Sequence, residues 1–182
     1  MGGHQPEQTD ADILQGLRLR EISAVEKMTE RYGQALTRAA FMFLNDAEAA
    51  GDVVQDALIA AWDGAHRVRD GTALRPWLFG VLFNLCRKHR RSLLRRLRRE
   101  RTAGRRIGDS RRQTDDYERL EVMREALQRL DEELRTVLIL RYEQGLSVSQ
   151  TAEALGLPEG TVKSRTFAAI QKMRIYMGQH DE

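Results

Sequence analysis

The sequence predicts an all-α protein of two small helical domains joined by a flexible basic linker, and three observations carry that expectation. Only 3 prolines interrupt 182 residues, and runs of β-branched side chains are few, so helix is the default conformation. Apolar residues recur at spacings of three and four along most of the chain, which is the period of a helix with one buried face. Between the two periodic stretches lies Ala103 to Asp116 (AGRRIGDSRRQTDD), with two glycines, little apolar content and dense charge. That is the composition of a linker.

Taken in order, Asp10 to Phe43 is helical: Ile13, Leu14 and Leu17 form one stripe, and Val25, Met28, Tyr32, Leu36 and Ala40 another. Asn45 or Asp46 can cap the next helix, because a short side-chain oxygen accepts the free amides of a first turn. That helix, AEAAGDVVQDALIAAW, turns Val54, Leu58, Ala61 and Trp62 inward. Gly51 in its interior costs about 1 kcal/mol relative to alanine. His66 to Arg75 (HRVRDGTALR) reads as a loop with Asp70-Gly71 as its turn. Pro76 suits the first turn of a helix, where its missing donor is harmless. The following WLFGVLFNLCRKHRR is apolar nearly all round, which predicts burial, and it enters the arginines without a stop. Beyond the linker, Leu120, Met123, Leu127, Leu130 and Leu134 renew the period. Val137, Leu138, Leu140 and Tyr142 continue it to Gly145, a left-handed helix end.

Composition narrows the function classes. Hydrophobic residues make up 41% and charged residues 31%, the balance of a soluble globular chain. A single cysteine, Cys86, leaves no disulfide framework, and His4, His66, His89 and His180 lack metal-ligand spacing. No cofactor is expected. The N-terminus MGGHQPEQTDAD has no apolar core, so no signal peptide is expected. No apolar run approaches the roughly 20 residues that span a bilayer. A cytoplasmic protein without membrane insertion follows. The net charge of +3 is strongly segregated: Arg87 to Arg112 holds 13 Lys or Arg against Glu100 and Asp109 alone, a local +11, leaving −8 elsewhere. Such an arm is either a solvated arginine-rich linker or the footprint of a polyanion binder.

The segment Val148 to Met173 carries the sharpest signal. A helix-turn-helix needs a small residue where its helices cross, a glycine able to take positive φ in the turn, and an apolar residue locking the second helix on the first. Ala152, Gly156 and Val162 supply these, with Ser147 as a cap and Pro158 opening the second helix. Val162, Thr166, Ala169, Ile170 and Met173 then share the inner face. Glu159, Gly160, Lys163, Ser164 and Phe167 form the outer one. Lysine and serine near the start of a recognition helix can meet base edges and phosphates, and an exposed aromatic can press on a thymine methyl. The competing reading is an ordinary helical hairpin with Phe167 packed inside.

Together, DVVQDALIAAW (Asp52 to Trp62), RPWLFGVLFNLCRKHRR (Arg75 to Arg91) and LPEGTVKSRTFAAIQKMR (Leu157 to Arg174) resemble the extracytoplasmic-function (ECF) group of sigma-70 factors in order, spacing and total length. The resemblance implies region 2 over 1–101, a linker over 102–117 and region 4 over 118–182. It implies an alternative RNA polymerase sigma factor, not an enzyme. Such a factor binds core polymerase through the β′ clamp helices and the β flap and directs it to promoter DNA. An anti-sigma factor is an expected partner. By position, Asp52, Gln55, Asp56, Leu58 and Trp62 would dock on the core. The alternative for Trp62 is core packing.

By the same resemblance the loop between Arg67 and Leu74 would capture a base flipped from the −10 element, with Arg67, Arg69 and Asp70 at its edge. Asn84 would contact that element, and Arg87, Lys88 and Arg91 nearby phosphates. Thr161, Lys163, Ser164 and Phe167 would read the −35 element. The sequence departs from the family pattern at Gly51, where an acid is usual, and at Ala168, where a base is common. The arginines from Arg95 to Arg101 are expected on a prolonged helix lying along promoter DNA. A second class of function, a stand-alone dimeric helix-turn-helix regulator, would explain Val148 to Met173 but not the Asp52 to Trp62 block.

Overall fold

The computed structural model describes residues 9–101 and 115–178, and among these every regular element is helical. The order is α1 (Asp10–Arg18), α2 (Ile22–Leu44), α3 (Ala47–Gly64), α4 (Leu74–Arg101), α5 (Asp115–Arg129), α6 (Glu132–Leu138), α7 (Val148–Leu155) and α8 (Glu159–Gly178). A 3-10 turn, Ala65–Arg67, follows α3, and a π turn, Ile139–Glu143, extends α6. The expected linker lies for the most part outside the described residues.

Local chemistry sets the ends of these helices. Thr9 and Asp12 form a reciprocal capping box at α1, satisfying amides that have no partner inside the helix. Asn45 and Asp46 divide the roles left open between them. Asn45 takes the left-handed C-cap of α2 at φ 56, and the Asp46 carboxylate accepts from the Ala49 amide at the start of α3. Pro76 stands in the first turn of α4, and Gly145 takes φ 62. Pro158 immediately precedes α8, one position outside the helix it was expected to open.

The run from Leu120 to Tyr142 is not one helix. It breaks at Asp131, whose ψ of 145° is extended. The cause is Arg135, fully buried in α6. Its guanidinium donates to the carbonyls of Leu127 (2.9 Å), Gln128 (2.5 Å) and Leu130 (3.0 Å). These oxygens lie at the helix end, where intrahelical partners run out, and that of Leu127 also accepts from the Leu130 amide (3.2 Å), so α5 can stop there.

The first half of α4 is the centre of the core. Leu74, Leu78, Phe79, Leu82, Phe83 and Cys86 are each 2% exposed or less. The Phe43 and Phe83 rings meet edge to face, with centroids 5.6 Å apart, an arrangement favoured by the ring quadrupoles. Burial pushes the Cys86 thiol up to about 12. In α3 the inward face is Val53, Val54, Ala57 and Ala61, while Leu58 and Trp62 are half-buried at its margin. Gly51 has nothing near the place a side chain would occupy, so no packing contact offsets its helix cost.

The two helical groups, α1–α4 and α5–α8, share one apolar cluster that joins α4 and α2 to Leu127, Leu130, Ile139, Leu140 and Leu146. Across this seam Arg135 also donates to the Phe43 carbonyl (2.8 Å), and Gln128 to that of Met42 (2.8 Å). Both acceptors lie in the last turn of α2, so α5 and α6 complete a helix end in the other group. Arg135 is stacked 5.5 Å over the Phe43 ring. Burial lowers its guanidinium to about 10, which leaves it charged at neutral pH. A smaller cluster of Val137, Ala152 and Val162, with Val148, Leu155 and Leu157, holds the helix-turn-helix together.

Candidate polymerase and promoter surfaces

On α3, Asp52, Gln55 and Asp56 are all exposed. Their spacing of three and four puts them on one face, and Ile59, 59% exposed, stands at the centre of that face. Sequence reasoning missed Ile59, which does not fit the inward stripe; its spacing from Asp52, Gln55 and Asp56 was the available signal. An exposed apolar side chain among carboxylates suits a partner that is basic at the rim and apolar at the centre. Trp62 is less accessible. The Arg20 guanidinium lies 5.0 Å over its ring, donates to its carbonyl (3.3 Å) and pairs with Asp63 (3.2 Å). Packing and a cation–π contact therefore occupy much of this side chain, and Leu58 is half-buried beside it.

The loop after α3 is shaped by a turn with Gly71 at φ 80, a left-handed conformation that glycine adopts without strain. Arg18 of α1 ties the loop down, donating to the Val68 carbonyl (2.6 Å) and pairing with Asp70 (2.8 Å). Asp70 thus has a structural partner, while Arg69 is exposed and Arg67 donates to His66 (3.1 Å). Asn84 is exposed midway along α4, ten residues beyond Leu74, or roughly 15 Å along the helix. The structure therefore does not bring the loop and Asn84 into one pocket; they are two stations on a shared helix.

Arg87 donates to the Asn84 side-chain oxygen (2.6 Å), which leaves the Asn84 amide nitrogen for a base acceptor. Asn84, Lys88, Arg91 and Arg95 are exposed at spacings of four, three and four, one stripe on the surface of α4. The helix continues to Arg101, and the side chains of 98–101 lie outside the description.

The helix-turn-helix forms as expected. Ser147 and Gln150 make a capping box on α7, and Gly156 takes the left-handed position at φ 63. Val162 is fully buried, and Ala152 nearly so. At the start of α8, Lys163 and Ser164 are exposed and Thr161 is half-buried. Phe167 is 67% exposed, against the hairpin reading in which it packs inside. Arg165 turns back to pair with Glu133 (2.5 Å), which holds α8 against α6.

Comparison with known proteins gives this arrangement its class. Residues 28–102 match the family model of sigma-70 region 2, and residues 120–173 that of sigma-70 region 4. The ECF RNA polymerase sigma factor SigM of Mycobacterium tuberculosis H37Rv is 31% identical over 97% of this chain and 88% of its own. SigL of the Erdman strain is 32% identical over 88% and 92%. The solved structure of CnrH in complex with the cytosolic domain of CnrY superimposes with a TM-score of 0.73, at 26% identity, over 94% of this chain and 99% of CnrH. The sigma factor RpoE in complex with the anti-sigma factor NepR from Bartonella quintana shares the fold, with a TM-score of 0.71 at 24% identity, over 86% of this chain and 98% of RpoE. The chain belongs to the ECF sigma factors of the sigma-70 family. It is an alternative RNA polymerase sigma factor, which binds core polymerase and directs promoter-specific initiation through −10 and −35 elements. The region 2 match accounts for the Asp52 to Trp62 block that a stand-alone regulator leaves unexplained. No helix among the described residues is long and apolar enough to cross a membrane.

Proposed function

We propose that the factor works through three separate surfaces. The α3 face of Asp52, Gln55, Asp56 and Ile59, with Leu58 and Trp62 at its edge, docks on the β′ clamp helices of core polymerase. The loop with Arg67, Arg69 and Asp70, and the α4 stripe of Asn84, Arg87, Lys88 and Arg91, take the −10 element. The start of α8, with Thr161, Lys163, Ser164 and Phe167, reads the −35 element. The observation that carries this reading is the exposure of Asp52, Gln55, Asn84, Lys88, Lys163 and Phe167 on helices whose other faces are buried. Residues 1–101 and 118–182 serve as the two functional regions, and region 4 is the half that meets the β flap. The factor acts in the cytoplasm, as a non-catalytic protein. RpoE is complexed with an anti-sigma factor, and we extend a partner of that kind to this chain.

Opening the duplex at the −10 element costs a few kcal/mol, which a site for the extruded base offsets. Asn84→Ala removes the amide that can read such a base and frees Arg87 from its side-chain partner. It is expected to slow strand opening more than it weakens closed-complex binding. Permanganate footprinting of promoter thymines with polymerase present checks this. Unchanged reactivity would make Asn84 scaffold.

At the −35 end, Lys163→Ala and Phe167→Ala are each expected to weaken promoter recognition by about 1–3 kcal/mol if a base edge is read. A phosphate contact from Lys163 would instead give a uniform loss across sequences with a smaller salt dependence. Transcription from a panel of −35 variants at two salt concentrations separates these outcomes. Full activity of both variants would sink the recognition-helix assignment.

A further inference from the structure

The docking face proposed on α3 continues past Ile59. Glu48, Asp52 and Asp56 are exposed at spacings of four, so the face begins as a row of carboxylates. Asp63, exposed one turn beyond Ile59, stands on the same side but is covered from another element. The Arg20 guanidinium pairs with it (3.2 Å), donates to the Trp62 carbonyl (3.3 Å) and lies 5.0 Å over the Trp62 ring. Arg20 is held there against its backbone preference. It follows the C-cap of α1 with φ 62, and the Arg20 and Glu21 amides donate back to the Leu17 (3.2 Å) and Gly16 (2.9 Å) carbonyls. Glycine is usual in that helix ending, because a side chain at positive φ is strained. Glycine would make the same backbone bonds, so what arginine adds is the guanidinium on Trp62 and Asp63. Leu19 and Ile22 flank it, 61% and 72% exposed.

Exposed apolar side chains beside a polar rim mark interaction sites. We infer that the corner between α1 and α2 is the apolar end of the core-docking surface. Leu19 and Ile22 make the contact, and Arg20 is the positioning residue that fixes Trp62 and covers the Asp63 charge. The occupant is core polymerase, because the corner is continuous with the α3 face through Asp63 and Trp62. The complementary surface on core is then polarised, with cations over Glu48, Asp52 and Asp56 and apolar side chains over Ile59, Leu19 and Ile22. That polarity fixes the direction in which the partner element lies along α3. A bare carboxylate at Asp63 would face those apolar side chains and lose its water without a partner, which Arg20 prevents. The inference rests on the α3 docking assignment above for the identity of its partner.

Anisotropy of the labelled full-length factor titrated with core polymerase tests it. Leu19→Ser combined with Ile22→Ser alters only exposed positions and no charge, so the thermal melt should be unchanged. Affinity for core is expected to fall about tenfold or more, as the loss of two interface anchors gives. Arg20→Gly separates positioning from structure. Glycine relieves the positive φ, so the melt should not fall, whereas a merely structural Arg20 would lower it. Affinity should drop, and adding Asp63→Asn, which removes the charge that needs covering, should restore most of it. Parent-like affinity in the serine variant, a lowered melt in Arg20→Gly, or a loss that Asp63→Asn does not recover would overturn the assignment. Anisotropy of the labelled parent that rises on adding unlabelled parent, and not with the serine variant, would give the corner to a second copy of the chain and overturn it too. If the serine variant loses affinity while Asp52→Arg with Gln55→Arg keeps it, the α3 assignment fails and the corner stands; the reverse pattern removes the corner alone.

Discussion

Replacing Asp52 and Gln55 by arginine is expected to abolish binding to core polymerase while the chain keeps its fold. Both side chains are exposed on α3, so helix content and melting temperature should change little. On the docking face the substitution turns one carboxylate and one amide into two cations, beside Ile59 and Asp56. Like-charge juxtaposition at an interface costs several kcal/mol, and a loss of about 3 kcal/mol already weakens binding more than a hundredfold. Fluorescence anisotropy of the labelled factor titrated with core measures it. Ile59→Ala offers an intermediate test, since truncating an apolar centre should weaken binding without altering the charge of the face. An unchanged affinity in the double variant would remove α3 from the docking surface.

The second large effect belongs to stability. Arg135→Met keeps an unbranched apolar stem but removes the guanidinium donors that serve the ends of α5 and α2, while the Gln128 bond to the Met42 carbonyl remains. Four carbonyls, those of Leu127, Gln128, Leu130 and Phe43, lose a partner in the buried seam. Each acceptor stranded without solvent costs about 1–3 kcal/mol, although some will recruit water once the seam loosens. A net destabilisation of about 4 kcal/mol is expected, which lowers the melting temperature by roughly 10 °C for a chain of this length. Arg135→Lys should recover only part of it, because one ammonium cannot span four acceptors in two helices. Thermal melts followed by circular dichroism decide. A shift under about 2 °C in the methionine variant would mean that the break at Asp131 holds without the guanidinium.

What the sequence made legible was the chemistry that acts over short distances. The Ser147 cap, the Gly156 turn, the Asn45 and Asp46 helix ends and the apolar half of α4 all follow from residues within a turn or two of one another. The break at Asp131 did not, because apolar spacing continues through it, and the bonds that end α5 come from a side chain several residues further on. The Phe43 contact of Arg135 spans 92 positions, and no local pattern announces it. The face proposed to dock was read from its charges, and Ile59, which lies outside the inward apolar stripe, was not among its residues. Trp62 could be assigned to neither packing nor docking until Arg20 was seen lying across its ring. The residues proposed for the −10 element fall on the loop and on α4, and their separation along α4 depends on how much of that helix the core consumes.

Cys86 has a consequence for how the factor can be controlled. It is the one sulfhydryl in the chain, it sits at 0% exposure against the aromatic core, and its ionisation is displaced to about 12. Oxidants and electrophiles attack the thiolate, and they need access to it. At neutral pH this chain offers neither a thiolate nor a route. Peroxide, thiol-reactive metals or nitrosylating agents therefore have no cysteine handle on the folded factor. If oxidative stress governs its promoters through thiol chemistry, the reactive thiol belongs to another protein.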